Sequence, residues 1–203
     1  VRNLGVESSI LFVSTILDRI RRCPHGHLSF LIWRCVMFHK MMFHKMRRKV
    51  QQLSPEETEA VLLRGTAGVL ALTGDKAFPY AVPISYVYDG EHIYFHSALE
   101  GHKIDAIRRN PNASFAVIDR DEIVPEKYTT YFRSVIVFGS IRIIEDDMEK
   151  RAAIRKLAIK YAPEHTEAQH AAAIDGAWKQ FCMLEMSVAH MTGKQAIELV
   201  AKK

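Results

Sequence analysis

Cysteine is scarce in this chain: Cys23, Cys35 and Cys182 are all that its 203 residues contain. An odd, sparse set without framework spacing excludes a disulfide scaffold and points to a reducing compartment. Long apolar runs are missing too. Residues 8–17 (SSILFVSTIL) are apolar but short, and Arg19, Arg21 and Arg22 follow the run, whereas a secretory signal carries its charge before it. Residues 28–38 are interrupted by Arg34 and are too short to span a bilayer. These readings predict a soluble, cytoplasmic protein with no membrane partner. A basic surplus is likewise lacking in the body of the chain. Net charge is +5, but residues 1–41 hold six Lys/Arg against two Asp/Glu, which leaves +1 for all the rest. A nucleic-acid-binding face needs clustered Lys/Arg, so none is expected. There is no G-x-G-x-x-G turn and no regular β–α–β rhythm, which excludes a Rossmann domain. Cys23, His25, His27, Cys35, His39 and His44 follow no zinc spacing, so no metal site is expected.

What is present reads as one globular domain behind a foreign leader. Hydrophobic residues make up 48% and charged residues 25%, enough for one real core. Residues 1–41 carry no helix caps and no strand–turn rhythm. Met37-Phe38-His39-Lys40-Met41 repeats at once as Met42-Phe43-His44-Lys45-Met46, a unit too short for a solenoid. The leader is therefore expected to be a disordered or non-native extension, with the natural start at Met42 or Met37 and the domain spanning residues 42–203. A mobile arm is the alternative.

Organised sequence begins near Arg47. Ser54-Pro55-Glu56-Glu57 is a helix start, with Ser54 as N-cap, Pro55 in the first turn and Glu57 completing a capping box. Val61 and Leu62 supply its apolar face and Gly65 its end. Residues 67–73 predict a buried strand, and residues 80–88 a second one. Pro83 inside the latter demotes it to an edge or marks a bulge. Backbone groups freed there could meet a planar ligand, or the proline could simply protect an edge. Asp89-Gly90 is a tight hairpin signal. Residues 113–118 predict a strand, residues 119–127 a charged connection, and residues 131–144 a long strand in which Gly139 allows a bend or close backbone approach. Asp146 or Asp147 caps a helix ending at Tyr161, with Ala153, Leu157 and Tyr161 on one face. An Ala-rich helix is expected over residues 164–178, a strand over 181–190, a turn at 191–194 and a short helical tail. Six or seven strands, mostly hairpin-linked, predict a mainly β fold: an antiparallel Greek-key barrel with flanking helices.

Residues 93–111 (IYFHSALEGHKIDAIRRNP) organise the rest. Ile93, Tyr94 and Phe95 are β-formers. His96-Ser97-Ala98 and Gly101 make a small-residue turn, and Ile104 and Ile107 recur at helical spacing before Pro111. A strand turning into a helix start presents outward N–H groups and a positive dipole end, and Lys103 adds a full charge. That is an anion site suited to a cofactor phosphate. A solvated lysine at an ordinary corner is the alternative.

Several stretches in this order resemble the flavin-binding split barrels related to pyridoxamine 5′-phosphate oxidase, and within them the Nim-type nitroimidazole-resistance subgroup. They are RRK (47–49), GVLAL (68–72), PYAVPISYVY (79–88), IYFHSALEGHK (93–103), NPNASF (110–115), YFRSVIVFGSIRII (131–144) and MTGK (191–194). The resemblance implies a homodimer of split barrels with two FMN sites at its interface. It implies that Val82, Pro83, Ile84 and Ser85 lie along the isoalloxazine ring and that His96, Ser97 and Ala98 reach toward ribityl and phosphate. Lys103 would then pair with the phosphate, and Arg133 and Ser134 would contribute from the long strand. His96 aligns with a histidine tied to chemistry in the subgroup; a proton donor near neutrality or a structural hydrogen bond would each account for it. The implied activity is transfer of electrons from NAD(P)H to a small nitroaromatic acceptor. A flavin-binding protein without turnover, or a haem-binding barrel with His96 or His102 as axial ligand, would carry the same motifs. The Arg-rich substrate signature of true pyridoxamine phosphate oxidases is missing, so that activity is not implied.

Overall fold

A computed structural model describes residues 43–200 of the chain. The expectations for residues 1–41, including the extension and all the leader's cysteines, lie outside the described residues. The compact unit that carries the fold begins at Lys45.

Helix α1 (Pro55–Arg64) starts as its residues dictate. The Glu57 N–H donates to Ser54 Oγ at 3.1 Å, and the Ser54 N–H donates to Glu57 Oε2 at 2.8 Å. Thr58, Val61 and Leu62 form its buried face, and Gly65 closes it. Seven antiparallel strands follow: β1 (Ala67–Thr73), β2 (Pro79–Ser85), β3 (Val87–Tyr88), β4 (His92–Ala98), β5 (Asn112–Val124), β6 (Thr129–Ile143) and β7 (Phe181–Gln195). Helix α2 (His102–Arg109) links β4 to β5, while α3 (Asp147–Tyr161) and α4 (Glu167–Ala177) link β6 to β7.

The sheet order is β2-β1-β5-β6-β7-β4-β3. Strands β2 and β3 are separated only by Tyr86, yet they occupy opposite edges. The sheet must therefore roll until its edges approach, without hydrogen bonds closing the seam: a split barrel with Greek-key order. The expected single strand over residues 80–88 is thus two strands on two edges, because the chain crosses the seam at Tyr86, whose side chain is fully buried. Pro83 sits on an edge strand, as its missing N–H requires.

Two apolar layers result. Leu70, Phe95, Phe115, Val137 and Leu184 fill the barrel, while Tyr94, Phe181 and Met183 face outward beneath Ala153 and Leu157 of α3. Six consecutive residues of β7, Phe181 to Met186, are consequently buried on both faces. Glu185 is among them, and it accepts from Arg142 Nε across the ladder at 2.9 Å. Asp146 caps α3, accepting the Glu149 N–H at 2.8 Å.

Three further expectations need correction. Residues 191–194 are not a turn but the end of β7, paired with β6 from Val137–Met191 to Ser134–Lys194. Their turn-like composition serves packing under the entry to α1, where the Leu53 N–H donates to the Gly193 carbonyl at 3.0 Å. Residues 119–124 are not a connection; they extend β5 beyond a register shift at Ile118/Arg120 into a long hairpin with β6. Helix α4 starts later than expected, at a second capping box between Thr166 and Gln169. No helix among the described residues is long and apolar enough to cross a membrane.

Candidate functional site

The β4–α2 corner has the predicted form. Gly101 is the N-cap of α2 at φ +120°, a region that glycine alone enters freely, and a Cβ there would meet nothing within 4 Å. No side chain caps the helix start, so its first-turn N–H groups are available to an anion. Lys103 stands in that turn, half-buried. Burial pushes its ammonium below the usual lysine range, and no ion pair or hydrogen bond compensates among the described residues. Its electrostatic neighbour is the Cys182 thiol, which burial pushes upward and which donates to the Ala98 carbonyl at 3.3 Å.

The corner is clamped to the β1–β2 connection. Asp75 takes an ion pair from Arg109 and lies 3.4 Å from His102 Nε2, and the His102 ring stacks on Tyr80 with centroids 4.1 Å apart. His102 is therefore a structural helix-start residue. Of the two imidazoles that could ligate haem, it is the one already engaged.

The remaining candidates divide by strand face. On β4, Ile93 and Phe95 pack into the barrel, and so Ser97, which is 6% exposed and opposite Cys182, points the same way. His96 and Ala98 lie on the opposite, outer face and are exposed. On β2, Ile84 packs against the barrel core and Val82 shares its face, while Pro83 and Ser85 point outward. A ring along β2 would thus meet the side chains of Pro83 and Ser85 but only the backbone of Val82 and Ile84.

Ser85 and His96, from the two edges of the seam, line one cavity of about 370 Å³, walled on its other side by α3 and α4. Ile154, Leu157, Ile174 and Phe181 make it apolar. Tyr161 and His170 also line it. His170 is 5% exposed, and its ring makes no hydrogen bond among the described residues. Nothing in an Ala-rich helix signals such a residue, since its role depends on how α4 folds back on α3.

Arg133 and Ser134 lie elsewhere. Ser134 pairs with Lys194 and His96 with Met183, eleven positions apart on β7, or roughly 35 Å along the strand. Within one protomer they cannot share a site with His96. Arg133 Nη2 donates to Gln195 Oε1 at 3.1 Å, Nη1 lies 3.6 Å from Asp119, and its buried Nε has no partner. Asp119 is held below the usual carboxylate range chiefly by its hydrogen bonds from Arg64.

The profile of the pyridoxamine 5′-phosphate oxidase family matches residues 54–195. The chain belongs to that family. The match takes in all seven strands and every candidate site residue. A candidate 5-nitroimidazole antibiotic resistance protein from Bacteroides thetaiotaomicron superposes with a TM-score of 0.60 at 25% identity, covering 71% of this chain and 86% of that one. An FAD-binding protein from Mesorhizobium loti superposes with a TM-score of 0.50, also at 25% identity, covering 72% and 97%. An uncharacterized protein of Rhizobium meliloti (strain 1021) is 37% identical over 70 residues, or 34% of this chain. The chain spans 45% of the length of that curated relative.

Proposed function

We propose that this member of the pyridoxamine 5′-phosphate oxidase family is a homodimeric FMN-dependent oxidoreductase that passes electrons from NAD(P)H to a small nitroaromatic acceptor. One observation carries the reading: a half-buried lysine without a counter-ion, beside an uncapped helix start. A desolvated ammonium is costly when unpaired, and a phosphate would supply both the charge and the acceptors that the corner lacks. The residues present therefore fit the group.

Bound there, a flavin would supply the electron-transfer chemistry, and the protein's part is to bind, orient and shield it. Lys103 and the first-turn N–H groups of α2 hold the phosphate. Pro83 and Ser85 side chains and the backbone of Val82 and Ile84 flank the ring. The Ser97 backbone and Ala98 shape the passage between, and His96 on the outer face holds a proton within reach of the cavity. Arg133 and Ser134 come from the second protomer, a reading that their separation from His96 along β7 supports. An apolar outer sheet face is available for that protomer. Ile118 and Ile136 are 68% and 43% exposed, and the register sets Val69, Ala116 and Ile136 in one row across β1, β5 and β6.

The likeness to the Bacteroides protein favours a nitro compound as acceptor. The absorbance spectrum of the purified protein tests the cofactor, and chromatography of the released flavin separates FMN from FAD. Consumption of NADH or NADPH in the presence of a nitro acceptor tests turnover. His96→Ala should retain flavin and lose roughly a hundredfold in turnover. A colourless protein, or one that consumes no nicotinamide, contradicts the proposal.

A further inference from the structure

The cavity between the barrel seam and the α3–α4 pair is not used by the phosphate corner, and its polar groups are unequally occupied. The Tyr161 hydroxyl accepts the Tyr86 N–H at 2.9 Å and donates its one proton to the carbonyl of Thr66 or of Tyr86, so its donor is spent. The Ser85 hydroxyl and the His96 ring make no hydrogen bond among the described residues, but both stand on the seam side. His170 is different. It is contributed by α4, it is nine-tenths buried, its ring centroid lies 5.8 Å from that of His165, and it makes no hydrogen bond among the described residues. Its ring nitrogens are free to meet a hydrogen-bonding group of a molecule that enters the cavity. A cavity of about 370 Å³ is of the size that small ligands fill, and such sites are mostly apolar with a few placed polar groups.

We infer that this cavity is the binding pocket for the acceptor molecule, and that His170 is its specificity-determining residue. The ligand class is a compact, neutral aromatic molecule bearing one hydrogen-bond-accepting group, a nitro or carbonyl oxygen, which takes the His170 N–H. Leu157, Ile174 and Phe181 bury the ring, and the seam side, Ser85 and His96, presents the ligand to the flavin. The assignment of the ligand as electron acceptor rests on the function proposed above; the pocket and its hydrogen bond do not.

The test compares nitrobenzene with isopropylbenzene, which has nearly its shape but no acceptor. Affinities are read by ligand-observed NMR on the purified full chain, with flavin content recorded for each sample. Wild type should prefer nitrobenzene roughly tenfold, the worth of one buried hydrogen bond. His170→Leu should erase the preference by weakening nitrobenzene while leaving isopropylbenzene bound as well or better. Ala173→Trp, at an exposed rim position of the cavity, should exclude both probes from a folded protein. Equal affinity of wild type for the two probes, a preference that survives His170→Leu, or unchanged binding in Ala173→Trp overturns the assignment. A flavin-free protein that shows the preference refutes the flavin reading and keeps the pocket. A flavin-loaded protein without it refutes the pocket alone.

Discussion

The Tyr161 hydroxyl holds the Tyr86 backbone from both sides, accepting its N–H at 2.9 Å and donating to its carbonyl at 2.9 Å or to the Thr66 carbonyl. Tyr86 is the residue at which the chain leaves one edge of the sheet for the other, so it has no ladder partner. The last turn of α3 thus supplies the hydrogen bonds that the seam cannot. Tyr161→Phe removes them and strands a buried N–H, which should cost about 1–3 kcal/mol. Urea denaturation should show a lower midpoint at unchanged slope, because the exposed surface on unfolding does not change. A variant as stable as wild type would mean that water serves Tyr86 equally well.

Lys103 makes the opposite kind of prediction, because its charge is a burden until an anion arrives. Its ammonium is held below the usual lysine range by burial. The folded state therefore binds this proton less tightly than the unfolded chain does. Its contribution is unfavourable at neutral pH and shrinks as pH rises through the depressed value toward the ordinary one. Lys103→Met should leave the flavin-free protein as stable as wild type or more so. Lys103→Glu should abolish flavin retention by placing a negative charge against the phosphate. Thermal melts of flavin-free samples and flavin content after gel filtration check the two halves. Normal flavin content in Lys103→Glu would remove the phosphate from this corner.

Local punctuation was readable in the sequence, whereas sidedness was not. Ser54-Pro55-Glu57, Asp89-Gly90 and Gly101 act within a few residues, and each forms the cap or turn its chemistry specifies. Pro83 announced an edge because a missing N–H is a local fact. Residues 191–194 have the composition of a turn, and only the pairing with β6 makes them strand. Ser97 and His96 stand side by side in sequence but face a barrel interior and a helix-covered exterior, and only the curl of the sheet makes both sides matter. Tyr161 and His170 come to line the cavity through the packing of α3 and α4, at separations no periodicity reports.

Asp89, in the β3–β4 turn, gives a pH prediction. Burial would raise its carboxyl, but an ion pair with Lys156 and the N–H groups of His92 and Glu91 outweigh that and bring it down to about 2. A depressed carboxylate contributes stability that is present above its ordinary value of 3.8 and is lost as pH falls through the folded value. Asp89→Asn should therefore be less stable than wild type at pH 6. The gap should narrow steadily as both are melted between pH 4 and pH 2. A gap constant across that range would place the stabilisation in the turn geometry instead of the charge.

Ile136 tests the second protomer. It lies on the outer face of β6, 43% exposed and in register with Ala116 on β5. If that face is covered by a second copy, Ile136→Glu buries an unpaired carboxylate in the dimer and nothing in the monomer. Light scattering should report the mass of one chain in place of two, and flavin content should fall with it, since Arg133 and Ser134 would no longer reach the site. Far-UV circular dichroism should be unchanged. A dimeric variant with full flavin would place the interface on another face.

Gly139 makes the sharpest structural prediction, because it marks where β6 and β7 change register. Phe138 pairs with His190, but Gly139 pairs with Val188, so one residue of β7 bulges out between them. The bulge drives the Ser187 carbonyl into the space beside Gly139, where a Cβ would lie 2.0 Å from its oxygen. No rotamer relieves a clash between Cβ and backbone; the strands must part or the bulge must move. Either change disturbs the ladder that joins the long hairpin to the helix-covered half of the barrel. Gly139→Ala should destabilise by about 3 kcal/mol, the upper end for overpacking, and for a single compact unit that lowers the melting temperature by several degrees. Gly176, an exposed glycine in α4 with nothing within 4 Å of its Cβ position, is the control. There alanine should stabilise slightly through helix propensity. If both substitutions proved neutral in parallel thermal melts, the register shift at Phe138/Gly139 would not be present in solution.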